Sequence, residues 1–209
     1  MDYFDEFEFK TPGQQRAKKA LADISESLEK LSQSGDLADL KSRSLSLHSG
    51  YAIGTIFHYF RKFDDVFIYI FLIRRKQAIS TLAEIINNHP PYQDLSALIG
   101  KVLDCYLHEL SRPNRKTLIF VMNQFFKRTK HPGLINVEAD VLIPLWINAC
   151  QRNNTNTLFP FSESELRLRF RAIQSIVRSP FFEDDPIAGT AEHRDMAFNI
   201  FMRLFTPPQ

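Results

Sequence analysis

The sequence predicts an all-α protein: an N-terminal three-helix unit containing a helix-turn-helix, followed by a larger C-terminal helical body. Three observations carry this. Apolar residues recur at helical spacing through most of the 209 residues. No alternating apolar run bounded by turn residues marks a strand. Glycine and proline divide the chain into segments of helix length.

The first segment, MDYFDEFEF, alternates acids with rings and carries Asp2, Asp5, Glu6 and Glu8. Its charge and terminal position predict an acidic flexible tail over residues 1–12, with folding back on the basic unit, or docking elsewhere, as the alternative. After Thr11-Pro12-Gly13, Ala17, Leu21, Ile24, Leu28 and Leu31 fall on one helical face, and Gly35 is placed to end that helix. Two short helices are predicted next, from Asp39 to about Ser49 and from Ala52 to about Phe60, joined across Gly50. A longer one runs from Asp64 to about Asn88, with Asp64 and Asp65 in the turn where the helix dipole favours acids, and His89-Pro90-Pro91 stops it.

Beyond the prolines the helices grow richer in aromatic residues. Segments of helix length cover Tyr92–Leu110, Asn114–Thr129 and Asn136–Arg152, the last predicted to kink at Pro144. The polar loop NNTNT precedes a helix that opens at Ser162 with Glu165 three residues on, a capping-box pattern, and continues to about Arg178. The last helix spans Glu192–Phe205.

Composition narrows the functional classes. The chain is long enough to bury a substantial core, and no apolar run reaches membrane-spanning length. Four acids precede the first base, which predicts no secretory signal, and Cys105 and Cys150 fit a reducing cytoplasm without a disulfide. Net charge is +2, but residues 10–76 hold 12 Lys/Arg against 7 Asp/Glu, so the basic excess lies with the short helices. G-x-S-x-G, P-loop, G-x-G-x-x-G and H-E-x-x-H patterns are all missing, so no catalytic residue and no cofactor is expected. Cys105 and His108 share a helical face, yet two ligands do not make a metal site, and none is expected. Arg167, Arg169, Arg171 and Arg178 read as the solvated face of an amphipathic helix.

Two short helices with a glycine-containing turn describe a helix-turn-helix, whose second helix enters the DNA major groove N-terminus first. Gly54 lets the backbone approach closely, and Thr55 can meet a base edge or a phosphate. The reading places Arg43, Ile53, Gly54 and Thr55 near base edges, with Ser42, His58, Tyr59 and Lys62 near phosphates. Ile56 and Phe60, four apart, are expected to face the core.

The stretch GYAIGTIFHYFRKFDDVF resembles the signature of the tetracycline-repressor (TetR) family of bacterial transcription regulators. The matching positions are Gly50, Gly54, Thr55, Ile56, His58, Tyr59, Phe60, Lys62, Asp64 and Val66, and the likeness covers roughly residues 14–70. Phe57 stands where that family has Tyr, Phe63 where it usually has Lys, and Ser46 where it has a small apolar residue. The resemblance implies a homodimeric repressor that binds double-stranded operator DNA and is released when a small-molecule effector shifts the spacing of its two DNA-reading heads. The alternative is a helical ligand-binding or adaptor protein of the same shape without operator binding.

This reading divides the chain into the tail, a DNA-binding domain over 13–63 and an effector-binding and dimerisation domain over 64–209. An aromatic effector pocket is expected near Tyr106, His108, Phe120, Phe125 and Trp146. The width of the apolar faces on the last two helices predicts a four-helix dimer interface through Leu166, Phe170, Ile173, Val177, Ile200, Phe201 and Leu204.

Overall fold

Helical periodicity becomes helix almost segment for segment. The computed structural model describes residues 3–9, 13–34 and 40–206, and among these no strand occurs. The chain folds into two compact units, the first made of residues 1–75 and 112–132, the second of residues 76–111 and 133–209.

The first unit contains α1 (Tyr3–Glu6), α2 (Gln15–Ser34), α3 (Ser42–Ser49) and α4 (Ile53–Tyr59), the first half of α5 (Phe63–Asn87), and, after Arg112, α7 (Arg115–Arg128). The α2 periodicity does what it predicts, since Leu21, Ile24 and Leu28 are buried. Leu45 of α3 and Ile56 of α4 are also fully buried, each stabilising the unit by about 2 kcal/mol relative to exposure. Glu29 of α2 takes a two-pronged ion pair from Arg74 of α5. The glycine expected to end α2, Gly35, and the expected start at Asp39 lie outside the described residues.

Residues 3–9 do not form the flexible tail expected of them. Tyr3 is fully buried and Phe9 nearly so. Tyr3 meets Phe125 edge-on at 4.9 Å, and Phe9 meets Phe60 and Tyr69 at 6.3 and 5.4 Å. The rings outweigh the acids because each finds a partner ring within the unit. The expected boundary near residue 63 also moves: α7 joins the helix-turn-helix unit, and the division falls within α5, between Arg75 and Lys76.

The second unit holds the rest of α5, α6 (Leu95–Ser111), α8 (Leu134–Val137), a 3-10 turn (Glu138–Val141), α9 (Leu142–Arg152), α10 (Glu163–Phe182) and α11 (Ala191–Phe205). The single kinked helix expected over 136–152 is instead two helices broken at the 3-10 turn. Pro144 sits in the first turn of α9, where its missing N–H has no helical acceptor to lose. The polar loop braces the start of α6. There the Thr157 hydroxyl accepts from Leu95 N at 2.9 Å, and Asn153 donates to the carbonyls of Pro91 and Gln93. The capping box at Ser162 forms in both directions. α10 then continues past Pro180 to Phe182, beyond the expected end near Arg178.

Candidate nucleic-acid interface

The helix-turn-helix is built from its turn outward. Gly50 adopts φ +72° as the C-cap of α3, and its N–H closes on Ser46 O at 3.1 Å. This left-handed position is the one the chain needs glycine for. Ser46 then donates its hydroxyl to Tyr51 O at 2.7 Å, so the serine that departs from the family pattern braces the turn. Tyr51 donates its phenol to Asp23 Oδ2 on α2 at 2.8 Å, and Lys19 donates to the same oxygen at 2.7 Å. These two bonds, Lys19 first, hold the Asp23 carboxyl below the usual carboxylate range. Reasoning from sequence missed Tyr51 and Asp23, because their bond joins residues 28 apart with no periodic signal.

α4 divides its residues sharply. Ile56 is fully buried and Phe60, its C-cap, nearly so, whereas Ile53, Gly54, Phe57 and His58 are exposed. Thr55 and Tyr59 are half-buried. On the flanks, Arg43 and Lys62 are exposed and Ser42 is half-buried. All eight residues expected at DNA therefore lie within or beside α3 and α4, and none is consumed by the core. The Lys62 N–H is accepted by Asp65 Oδ2 at 2.8 Å, which fastens the start of α5 to the end of this face. Asp65 is itself buried and paired with Arg128 of α7 at 2.5 Å.

Charge is distributed in the same sense. The first unit has 17 Lys/Arg against 11 Asp/Glu, the second 9 against 13, so they carry +6 and −4. Residues 1–75 balance at 11 Lys/Arg against 11 Asp/Glu, so the six bases and no acids of residues 112–132 supply all of that excess, which the early segment alone did not reveal.

The other expected sites fare differently. Phe120 and Phe125 belong to the first unit and Tyr106, His108 and Trp146 to the second, so neither unit gathers the expected effector pocket. Phe125 is buried against Tyr3, Phe7 and Phe71 of its own unit, and Phe120 stacks edge-on against Phe67 at 5.4 Å. Trp146 is buried against Phe170 and Phe205, while His108 is exposed. The second unit shows an open depression of about 640 Å³ lined by Tyr92, Gln93, Asp94, Ala97, Gly100, Lys101 and Asp104, none of them among the residues expected at the pocket.

Of the expected dimer residues, Leu166, Ile173, Val177 and Phe201 are buried within their own unit, because α10 and α11 pack on each other and on α6. Phe170, Ile200 and Leu204 remain half-buried, and two further apolar residues, Leu168 and Met196, are exposed at 67% and 52%. The arginines of α10 are not a solvated face: Arg167 pairs with Asp140 at 3.0 Å, Arg169 lies over the Phe161 ring, and Arg178 bonds the Gln174 carbonyl.

No family model and no curated protein matches the sequence. Solved structures do. The chain is similar to a Mesorhizobium loti protein assigned to the TetR family of transcriptional regulators, with 12% identity over 93% of this chain and 100% of that one, at a TM-score of 0.64. A TetR transcriptional regulator from a Rhodococcus species matches with 16% identity over 91% and 96% of the two chains, at 0.52. A TetR-family member from Streptomyces coelicolor matches with 16% identity over 93% and 100%, at 0.51. The fold of this chain is that of TetR-family regulators.

Proposed function

We propose that the chain is a TetR-like DNA-binding transcription regulator, working in the cytoplasm as a homodimeric repressor that a small-molecule effector releases. The observation that carries this reading is α4. It buries Ile56 and turns Ile53, Gly54 and His58 outward on a unit of charge +6. A short helix with a small, uncommitted face and flanking bases suits a major groove about 12 Å wide. Arg43, Ile53, Gly54 and Thr55 then read base edges, while Ser42, His58, Tyr59 and Lys62 hold phosphates. The role assigned is binding rather than catalysis.

The dimer part of this reading is supported by exposed apolar residues on the last two helices. Leu168 on α10 and Met196 on α11, with the half-buried Ile200 and Leu204, offer the seam for a second copy. A two-fold pair of heads would meet two half-sites of a near-palindromic operator. An effector acts only through a difference in its affinity for two head spacings.

The deciding experiment is a gel-shift against DNA from upstream of the protein's own coding sequence, with a salt titration. Lys62→Ala should weaken binding to all sequences and lower the salt slope by about one. Arg43→Ala should relax preference at one base position, costing about 1–3 kcal/mol there. A native protein that binds no DNA even at about 50 mM salt would fit the adaptor reading instead.

A further inference from the structure

Residues 3–9 reach the end of the DNA-reading helix. Tyr3 anchors one end of the segment, buried under Phe125 and donating its phenol to His131 O at 3.2 Å. Glu6 is occupied by the loop after α7, accepting from the Thr129 hydroxyl and from the backbone N–H groups of Lys130 and His131. Phe9 anchors the other end, between Phe60 and Tyr69. Between the anchors, Glu8 is held at φ +54°, a left-handed conformation uncommon for a residue with a Cβ.

Held this way, Glu8 meets a base at the DNA face. Its carboxylate pairs with Arg61 at 2.5 Å, and Arg61 directly follows the Phe60 C-cap of α4 and precedes Lys62. The two side chains are 60% and 79% exposed, so the pair stands in water where a polyanion can reach it. The neighbouring Asp65 is engaged by Lys62 N–H and Arg128.

We propose that residues 3–9 form a built-in electrostatic brake on the DNA face, in which Glu8 occupies Arg61, a further phosphate-contacting residue, until a DNA phosphate displaces it. The proposal rests on the DNA-binding reading above. An exposed ion pair contributes little, so the brake is shallow: it trims affinity and salt sensitivity without abolishing binding. Its anchors are apolar and its acid exposed, so Glu8 can release Arg61 while the segment stays docked.

The test uses the full chain, a fluorescein-labelled mixed-sequence duplex of about 30 base pairs, and anisotropy across a salt series. Glu8→Gln should tighten binding about two- to fivefold and steepen the salt slope by up to about one. Arg61→Ala should weaken binding, and Glu8→Gln added to Arg61→Ala should give no gain. Circular dichroism should show native helix content in each variant, since both side chains are exposed. If the native protein binds DNA and Glu8→Gln changes nothing, or if its gain persists without Arg61, the brake is overturned while the DNA-binding reading stands. A native protein that binds no duplex overturns both.

Discussion

Tyr51 donates its phenolic proton to Asp23 at 2.8 Å, tying the turn of the helix-turn-helix to the middle of α2. Asp23 also receives Lys19, and its pKa is lowered chiefly by that bond and then by Tyr51. A carboxyl whose folded pKa lies below its unfolded value stabilises the fold above the unfolded value, and the contribution fades as pH falls through the folded one. In Tyr51→Phe, Asp23 should therefore titrate at higher pH than in the native protein, nearer an ordinary carboxylate. A carboxylate NMR titration reads this directly. An unmoved Asp23 would mean that the phenol does not engage it in solution.

The two glycines of the motif should respond in opposite ways. Gly50 is left-handed, and a Cβ there meets no atom within 4 Å, so Gly50→Ala is opposed by backbone strain alone. Urea unfolding should show a loss of about 1 kcal/mol or more. Gly54 has neither a positive φ nor a close neighbour and sits inside α4, so Gly54→Ala should stabilise the fold by up to about 1 kcal/mol. The same methyl stands on the exposed face that the proposed function assigns to DNA, so affinity should fall as stability rises. Stability and affinity moving together would argue against α4 as the reading helix.

Asp65 joins α5 to α7 by pairing with Arg128, and it accepts the Lys62 N–H at the start of α5. Its carboxylate is buried and Arg128 is only 30% exposed, so deleting the acid strands a largely desolvated cation. Asp65→Ala should cost about 3 kcal/mol, and Asp65→Asn less, because the amide oxygen still accepts from Lys62. Chemical denaturation of the two variants beside the native protein checks the order. Equal losses would assign the whole effect to the charge.

These same residues mark how far sequence reasoning reached. Helix positions, the turn at Gly50, the capping box at Ser162 and the buried Ile56 were legible because each is written in local spacing. The docking of residues 3–9 was not, since net charge and terminal position point to a tail while the rings that receive it, Phe60, Tyr69 and Phe125, are distant in sequence. α7 falls in the compact unit of the helix-turn-helix rather than with the helices that follow it, for a related reason: its periodicity shows that one face is buried, not which helices bury it. The width of α10 and α11 likewise announced burial, but the chain itself supplies the cover for Leu166, Ile173, Val177 and Phe201.

That last point changes how the proposed dimer should be probed. Phe201 is 1% exposed and packs against Phe205 at 4.9 Å within its own unit, so Phe201→Asp should unfold the second unit rather than separate two copies. Met196 lies one helical row away at 52% exposure, continuing into the half-buried Ile200 and Leu204. A charge at Met196 has water to face in the monomer and none at the centre of a paired seam. Met196→Asp should therefore keep native helix content by circular dichroism while light scattering shows half the native mass at micromolar concentration. Operator affinity should fall with it, because a lone head meets one half-site where the pair meets two. A Met196→Asp protein that stays dimeric would move the seam elsewhere, and Leu168→Asp would then test the exposed apolar position of α10.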